Sequence, residues 1–348
     1  MKRELAQWLV CPVTGERLTL VVEQEVDGEI IEGELAVAGG RRYPITGGVP
    51  RMLAAELIDG GQRETGDAFS EKWRRAKDFG HEEKSRSFYV DWYLERYRFG
   101  TIDALKDFLS SKTRILDAGT GNGRDSRLYA ENSNAEVFGV DLSASIESAY
   151  NHLKSVPNIH LIQADLTRLP FPRGFFDFIA CDQVLHHTRD TEESFHKLAA
   201  TLASGGYLSI YVYRRKAPIR ELADDYLRSV VAEMSEEQAW ELSEQLAELG
   251  RVLSDLNTTI TLPDIPALGI KAGSYDVQRF IYWHMLKCYW NPSLSVGDSV
   301  ITNFDWYRPR YAHRHTADEV RKWFADAGLE IAVFHECDAG ISVRGRKS

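Results

Sequence analysis

From residue 112 onward the chain alternates between two kinds of segment. "TRILDAG" is an apolar run of strand type, and "GRDSRLYAENS" has helical spacing. "AEVFGVDLS" is again a strand and "ASIESAYNHLKSV" a helix. "IHLIQADL", "FDFIACDQV" and "GYLSIYVY" continue the strands, with the helix "TRDTEESFHKLAATLASG" between the last two. Strands joined through helices pair in parallel, so this rhythm predicts an α/β fold with a doubly wound, Rossmann-like sheet over residues 112–213. The rhythm stops over residues 214–312, which read as mostly helical. It resumes over 313–348 with the helix "TADEVRKWFADAG" and the strands "LEIAVFHE" and "ISVRGRK". A helical insertion therefore leaves the sheet after the fifth strand and is expected to fold back as a lid.

Two segments precede this core. Residues 1–53 alternate apolar and polar positions between glycine-containing turns, the pattern of a small β-rich domain. Residues 54–111 are charged and aromatic. Phe88, Trp92, Leu94 and Tyr97 are spaced for helices leading into the core.

Composition narrows the function classes. The 348 residues are 43% hydrophobic, enough for a sizeable core. The net charge of −10 gives no whole-chain basic field to attract nucleic acid, so no nucleic-acid partner is expected. No apolar run approaches the roughly 20 residues of a membrane helix. "MKRELAQWLV" passes too soon into "CPVTGERL" to read as a secretory signal. Cys11, Cys181, Cys288 and Cys337 stand far apart, as in a reduced cytoplasmic protein without a disulfide framework.

The first strand of the core ends in "DAGTGNG", with Asp117 followed by Gly119, Gly121 and Gly123 at alternate positions. Ligands of doubly wound sheets bind beyond the carboxyl ends of the strands. Glycines there let the chain turn sharply and let a ligand approach the backbone. Asp141 ends the second strand, where a carboxylate can accept the hydroxyls of a ribose. The G-x-G-x-G spacing differs from the G-x-G-x-x-G that seats a pyrophosphate. Asp117 would repel a phosphate but can receive an amino group. S-adenosylmethionine (SAM) has an ammonium, a carboxylate and a sulfonium and no phosphate, and it suits this set.

Four motifs in register resemble the class I SAM-dependent methyltransferases, nearest the ubiquinone C-methylase-like branch. They are "ILDAGTGNG", "VFGVDLS", "IQADLTRLPF" and "FDFIACDQVLHHT". The resemblance covers roughly residues 112–213 and 316–345. It implies SAM as cofactor, with S-adenosylhomocysteine (SAH) as product. Its implied contacts are Asp117, Gly119, Thr120, Gly121, Asp141 and Leu142, then Asp165 and Leu166 flanking the adenine, and Asp182 near the methionine end. The N-terminal "LVCPVTGERL…YPITGGVPRML" is similar to the ribbon domain of the tRNA-methyltransferase activator type. Those domains often bind zinc through two CxxC pairs. Here only Cys11 remains, Thr14 fills the second position, and "AVAGG" stands where the other pair belongs. Four ligands cannot be assembled, so no metal is expected.

Methyl transfer needs acceptor and methyl in line, water excluded, and a base where the acceptor carries a proton. The candidates follow the fourth and fifth strands: His186, His187 and Tyr213. Histidine suits a base at neutral pH. The alternative for His187 is packing against the sheet with a bond to backbone. In the insertion, Trp283 of "FIYWHMLKCYW" is the aromatic expected at the acceptor, and a buried packing or dimer helix is the other reading of that segment. Arg308, Arg310 and His313 of "NFDWYRPRYAHRH" are the candidate contacts for a carboxylate or phosphate on the acceptor, against plain pairing with surface acids. The leading expectation is a biosynthetic methyltransferase of small molecules, with the insertion as a candidate homodimer surface. A tRNA or rRNA methyltransferase and a non-catalytic scaffold on the same fold are the alternatives.

Overall fold

The computed structural model describes residues 1–348 apart from the side chain of Lys84. One helical turn, α1 (Leu5–Trp8), opens the chain. An antiparallel sheet follows in the order β1 (Thr19–Val26), β2 (Glu29–Ala36), β3 (Arg42–Thr46), β4 (Val49–Pro50). Asp27 and Gly28 turn β1 into β2 with φ of 51° and 81°, the positive pair that two-residue hairpins demand. This sheet is not detached from the rest. The Met52 amide donates to the Gln163 carbonyl at 2.8 Å, and Lys2 Nζ donates to the carbonyls of Val156, Pro157 and Ile159. Trp8 packs edge-on against Phe138 at 5.4 Å. The Cys11 thiol lies 3.2 Å from the Tyr43 hydroxyl.

Three helices, α2 (Gly60–Arg75), α3 (Glu83–Arg96) and α4 (Ile102–Leu109), lead into the core. There β5 (Arg114–Ala118), α5 (Arg124–Glu131), β6 (Glu136–Asp141), α6 (Ser145–Leu153) and β7 (Ile159–Gln163) alternate as the sequence predicts. β8 (Phe176–Asp182), α7 (Thr191–Thr201) and β9 (Leu202–Tyr213) complete the run. After the insertion come α12 (Ala317–Asp326), β12 (Leu329–Glu336) and β13 (Gly340–Lys347). The seven-stranded sheet has the order β12-β13-β9-β8-β5-β6-β7. β5 to β9 pair in parallel and β13 runs against both neighbours. β8 is buried at every residue but Asp177, as expected of a parallel strand covered on both faces. The outer edge of β7 is capped by the N-terminal sheet, which removes an open pairing edge.

The strand order reverses between β5 and β8, and the crevice at such a reversal is where α/β sheets bind ligands. The insertion covers it. It contains α8 (Pro218–Ala232), α9 (Glu236–Asp255), α10 (Val277–His284) and α11 (Val296–Tyr307). It also contains a hairpin, β10 (Thr259–Leu262) with β11 (Gly273–Asp276), where a helical block was expected. The β-branched run Thr258–Thr261 favours strand there. α9 buries Ala239, Trp240, Ser243, Leu246, Ala247 and Gly250 on one stripe and leaves its acidic face in water. Among the described residues no helix is long and apolar enough to cross a membrane.

Candidate active site

A cavity of about 360 Å³ lies over the carboxyl ends of β5, β6, β8 and β9. This is within the range of small-molecule and cofactor sites. Its floor is the glycine loop after β5. Gly119 and Gly121 have φ of 86° and 57°. A Cβ on Gly119 would collide with the side chain of Val184, and one on Gly121 would sit 3.0 Å from the Trp73 indole. Only glycine fits both the turn and the crowding. Asn122 Nδ2 donates to the carbonyls of Lys77 and Phe79, which ties this loop to the α2–α3 connection above it.

Three carboxylates from three strand ends face the cavity. Asp141 Oδ1 accepts from the amide and hydroxyl of Ser143, and its Oδ2 accepts from the Gly121 amide at 2.9 Å. Carboxylate oxygens offer about four acceptor sites in all, so Oδ2 keeps one for a ligand hydroxyl. Asp165 Oδ1 caps the turn through the Thr167 amide, and Leu166 beside it also lines the cavity. Asp182 is buried. Its Oδ2 accepts from Arg96 Nη2 at 2.8 Å and its Oδ1 from the Tyr97 hydroxyl at 2.9 Å. Both partners of the Arg96–Asp182 pair are 2% exposed in their side chains, so removing Arg96 would strand a buried charge at a cost of about 3–5 kcal/mol. Gln183, next in the chain, holds φ at 62°, an uncommon conformation for a residue with a Cβ and one that concentrates at functional sites.

His187 lines the same space, below α2. Its Nδ1 lies 2.7 Å from the Tyr311 carbonyl, which can only accept, so Nδ1 carries the proton. Nε2 is then a lone pair, and among the described residues it makes no hydrogen bond. Burial lowers the pKa of this imidazole to about 4, against the pull of Asp305 and the Tyr311 carbonyl. The ring is neutral at pH 7. Tyr213, from the end of β9, also lines the cavity, with its phenol pushed far up by burial.

The far end of the cavity is roofed by helices. α3 contributes Phe88, Tyr89 and Trp92, while Tyr93 and Tyr97 of the same helix enter the core. Aromatics on more than one face of α3 were the sequence signal for this dual role. α10 contributes Arg279, Tyr282 and Trp283, and α11 contributes Ile301, Asp305 and Trp306. Lys72 of α2 reaches Asp305 Oδ2 at 2.8 Å, joining the two sides of the roof next to His187. Lys216, Arg220 and Lys287 add positive charge at this end. Trp92 was read from the sequence only as part of a helix leading into the core, and neither Lys216 nor Lys287 was singled out.

The cavity collects most but not all of the residues expected there. Gly119, Thr120, Gly121, Asp141, Leu142, Asp165, Leu166, Asp182, His187, Tyr213 and Trp283 line it. Asp117 does not. It is buried beneath the glycine loop and accepts from Ser126 Oγ at 2.7 Å. Burial first, and the Asp125 carboxylate second, raise its pKa to about 7. Asp117 braces the loop from below, and Asp125 and Arg124 are the charged pair that reaches the surface of the cavity. His186 is fully buried under the ring of Tyr213, 3.7 Å between centroids, and neither of its nitrogens has a partner. Arg308 is spent elsewhere, in two bonds to the Glu71 carboxylate and two to the carbonyls of Val231 and Met234. Arg310 points to solvent beside Glu64, and His313 Nε2 bonds the Thr188 carbonyl outside the cavity. These five correct the sequence reading: Arg308, Arg310 and His313 turn to partners distant in sequence, Asp117 to the Ser126 hydroxyl, and His186 packs in the core under Tyr213.

Residues 116–210, which carry β5 through β9, match the family described as "Methyltransferase domain". An uncharacterized protein of Synechococcus is 35% identical over 120 residues, covering 32% of this chain and 29% of that protein. A ubiquinone/menaquinone biosynthesis C-methyltransferase of Vibrio cholerae is 26% identical over 132 residues, covering 35% of this chain and 50% of that protein. The chain thus spans half or less of the length of these curated relatives. A solved SAM-dependent methyltransferase from Mesorhizobium loti aligns at 17% identity over 71% of this chain and 99% of that one, with a TM-score of 0.43.

Proposed function

We propose that this chain, whose α/β core is a class I SAM-dependent methyltransferase domain, transfers a methyl group to a small molecule enclosed between the strand ends and the helical roof. One observation carries the reading. A single cavity joins three strand-end carboxylates to an aromatic chamber, and a neutral histidine lines it with an unpaired ring nitrogen.

SAM, when bound, supplies an electrophilic methyl on a sulfonium. In this reading Asp141 accepts ribose hydroxyls at its free Oδ2 site. Leu142 and Leu166 flank the adenine and Asp165 accepts its amino group. Asp182 and Arg124 face the amino-acid end, as acceptor and donor respectively. Bare backbone at Gly119 and Gly121 leaves room for the close approach. The chain's remaining task is to orient the acceptor and exclude water, which the roof of α2, α3, α10 and α11 supports. His187 Nε2 receives the proton that the acceptor loses, and the Tyr311 carbonyl holds the ring in the tautomer required. The roof supports a small acceptor over a nucleic acid, as does the net charge of −10.

Calorimetric titration with SAH tests the reading directly. The expected result is saturable one-site binding, with no binding of NAD at the same concentration. An absence of heat and of any thermal shift with SAH would overturn it.

A further inference from the structure

The acceptor end of the cavity collects more basic side chains than acids to pair with them. Lys287 is 5% exposed and lines the cavity. Among the described residues its Nζ has no hydrogen bond and no ion pair. Its neighbour is the Trp306 ring, 4.3 Å from Nζ to the centroid. Lys216 Nζ lies between Trp283 at 5.4 Å and Trp306 at 5.8 Å and donates only to backbone carbonyls, those of Asp338 and Ala339. Arg279 donates to the Trp290 carbonyl and has no carboxylate partner. Only Arg220 is matched, by two bonds to the buried Asp224. Near Trp306, with Cζ 5.1 Å from that ring, the half-buried Arg228 keeps all three guanidinium nitrogens out of solvent and, among the described residues, without a hydrogen-bond partner. The one acid on this side of the chamber, Asp305, is already engaged by Lys72.

A folded chain leaves an ammonium buried without a counter-charge only at a cost of several kcal/mol, unless something else supplies that charge. The tryptophan faces offer partial compensation as cation–π contacts, about 0.5–2 kcal/mol each. We infer that the acceptor carries an oxyanion, a carboxylate or phosphate, and that Lys287 pairs with that oxyanion beside the aromatic wall to which Trp283 and Trp306 contribute. The inference rests on the methyltransferase reading and specifies the substrate class of that site.

Two further facts agree. Burial first, and Arg220 second, depress Lys216 to about 7 and push Lys287 well down, and an oxyanion placed beside them would raise both. The three basic side chains expected from sequence to meet an anion, Arg308, Arg310 and His313, are outside the cavity, so the task falls to other residues.

The test uses the full chain loaded with SAH, and the probes are 4-hydroxybenzoate and phenyl phosphate against their neutral counterparts 4-hydroxybenzamide and phenol. The expected result is that at least one anion binds tenfold or more tightly than its neutral counterpart. The stronger of the two identifies the head group. Lys287→Met should abolish that preference while leaving SAH affinity unchanged, and Lys287→Arg should keep at least a third of it. Equal binding of anions and neutrals, no binding of any probe, or a preference that survives Lys287→Met overturns the inference. So does complete loss of the preference in Lys287→Arg, because arginine retains the positive charge that the inference assigns to this position. SAH binding is read separately in every titration. Its failure removes the methyltransferase reading itself, whereas SAH binding without anion preference removes only this inference.

Discussion

The donor end of the cavity is made of backbone turns at the tips of adjacent strands, whereas the acceptor end is made of side chains carried by helices from both flanks of the core. At the donor end, Gly119, Gly121, Asp141, Asp165 and Asp182 come from a stretch of about 65 residues in which every strand end is fixed by sheet register. At the acceptor end, Phe69 and Trp92 come from helices before the core, while Trp283, Lys287 and Asp305 come from the insertion after it. The first half is set by topology alone and suits a common donor. The second depends on how helices pack, which is where one fold can acquire different acceptors.

That contrast assigns different failures to different substitutions. The largest effect is expected where the halves meet. Replacing His187 with glutamine keeps a polar side chain of similar size and removes the basic ring nitrogen, so kcat should fall by about 10²–10⁴ with SAH affinity unchanged. For the unmodified protein, the depressed pKa moves the acid limb of kcat/KM from the ordinary 6.5 down towards about 4. The sign is that of a base required in its neutral form: activity is present above the folded pKa and lost below it. A rate that stays within threefold in His187→Gln would show that the acceptor needs no base, and orientation alone would then carry the site.

A smaller effect, confined to the donor half, is expected from Asp141→Ala. The substitution removes the acceptor for two backbone amides and, in the proposed site, for the ribose hydroxyls. SAH affinity should drop by about 30- to 100-fold, equivalent to about 2–2.7 kcal/mol. Loading the variant with excess SAH should restore the binding of an acceptor probe, because the acceptor chamber takes nothing from this loop. Coupled loss of both affinities would mean that the halves are not independent.

The halves also differed in how far the sequence exposed them. Asp141 could be found because it ends an apolar strand, 20 residues after Gly121 of the glycine cluster. Both signals are local. Lys287 lies in "FIYWHMLKCYW", where aromatics stand on every side and nothing local says which one faces the chamber. The same blindness explains Asp117, whose place at a strand end suggested a ligand contact. Its hydrogen bond from Ser126, one helix onset later, turns it under the loop instead. The hairpin β10–β11 was missed because the helical segments either side of it dominate the pattern.

Arg308 and Arg310 give the sharpest small-effect test, since sequence density made them the anion contacts and the structure puts them outside. Arg308 bridges α2 to the end of α11 through Glu71 and two carbonyls, with both side chains less than a fifth exposed. Arg308→Ala should therefore lower stability by about 1–3 kcal/mol, through bonds broken and carbonyls left unpaired, while kcat/KM at 25 °C stays within about threefold. Arg310 is 56% exposed beside an equally exposed Glu64, and its alanine variant should change stability by less than about 0.5 kcal/mol and leave kcat/KM as it was. A tenfold rise in acceptor KM for Arg310→Ala, with unchanged melting, would return the anion site to the surface segment. The buried lysine and tryptophans of the chamber would then be roof and nothing more.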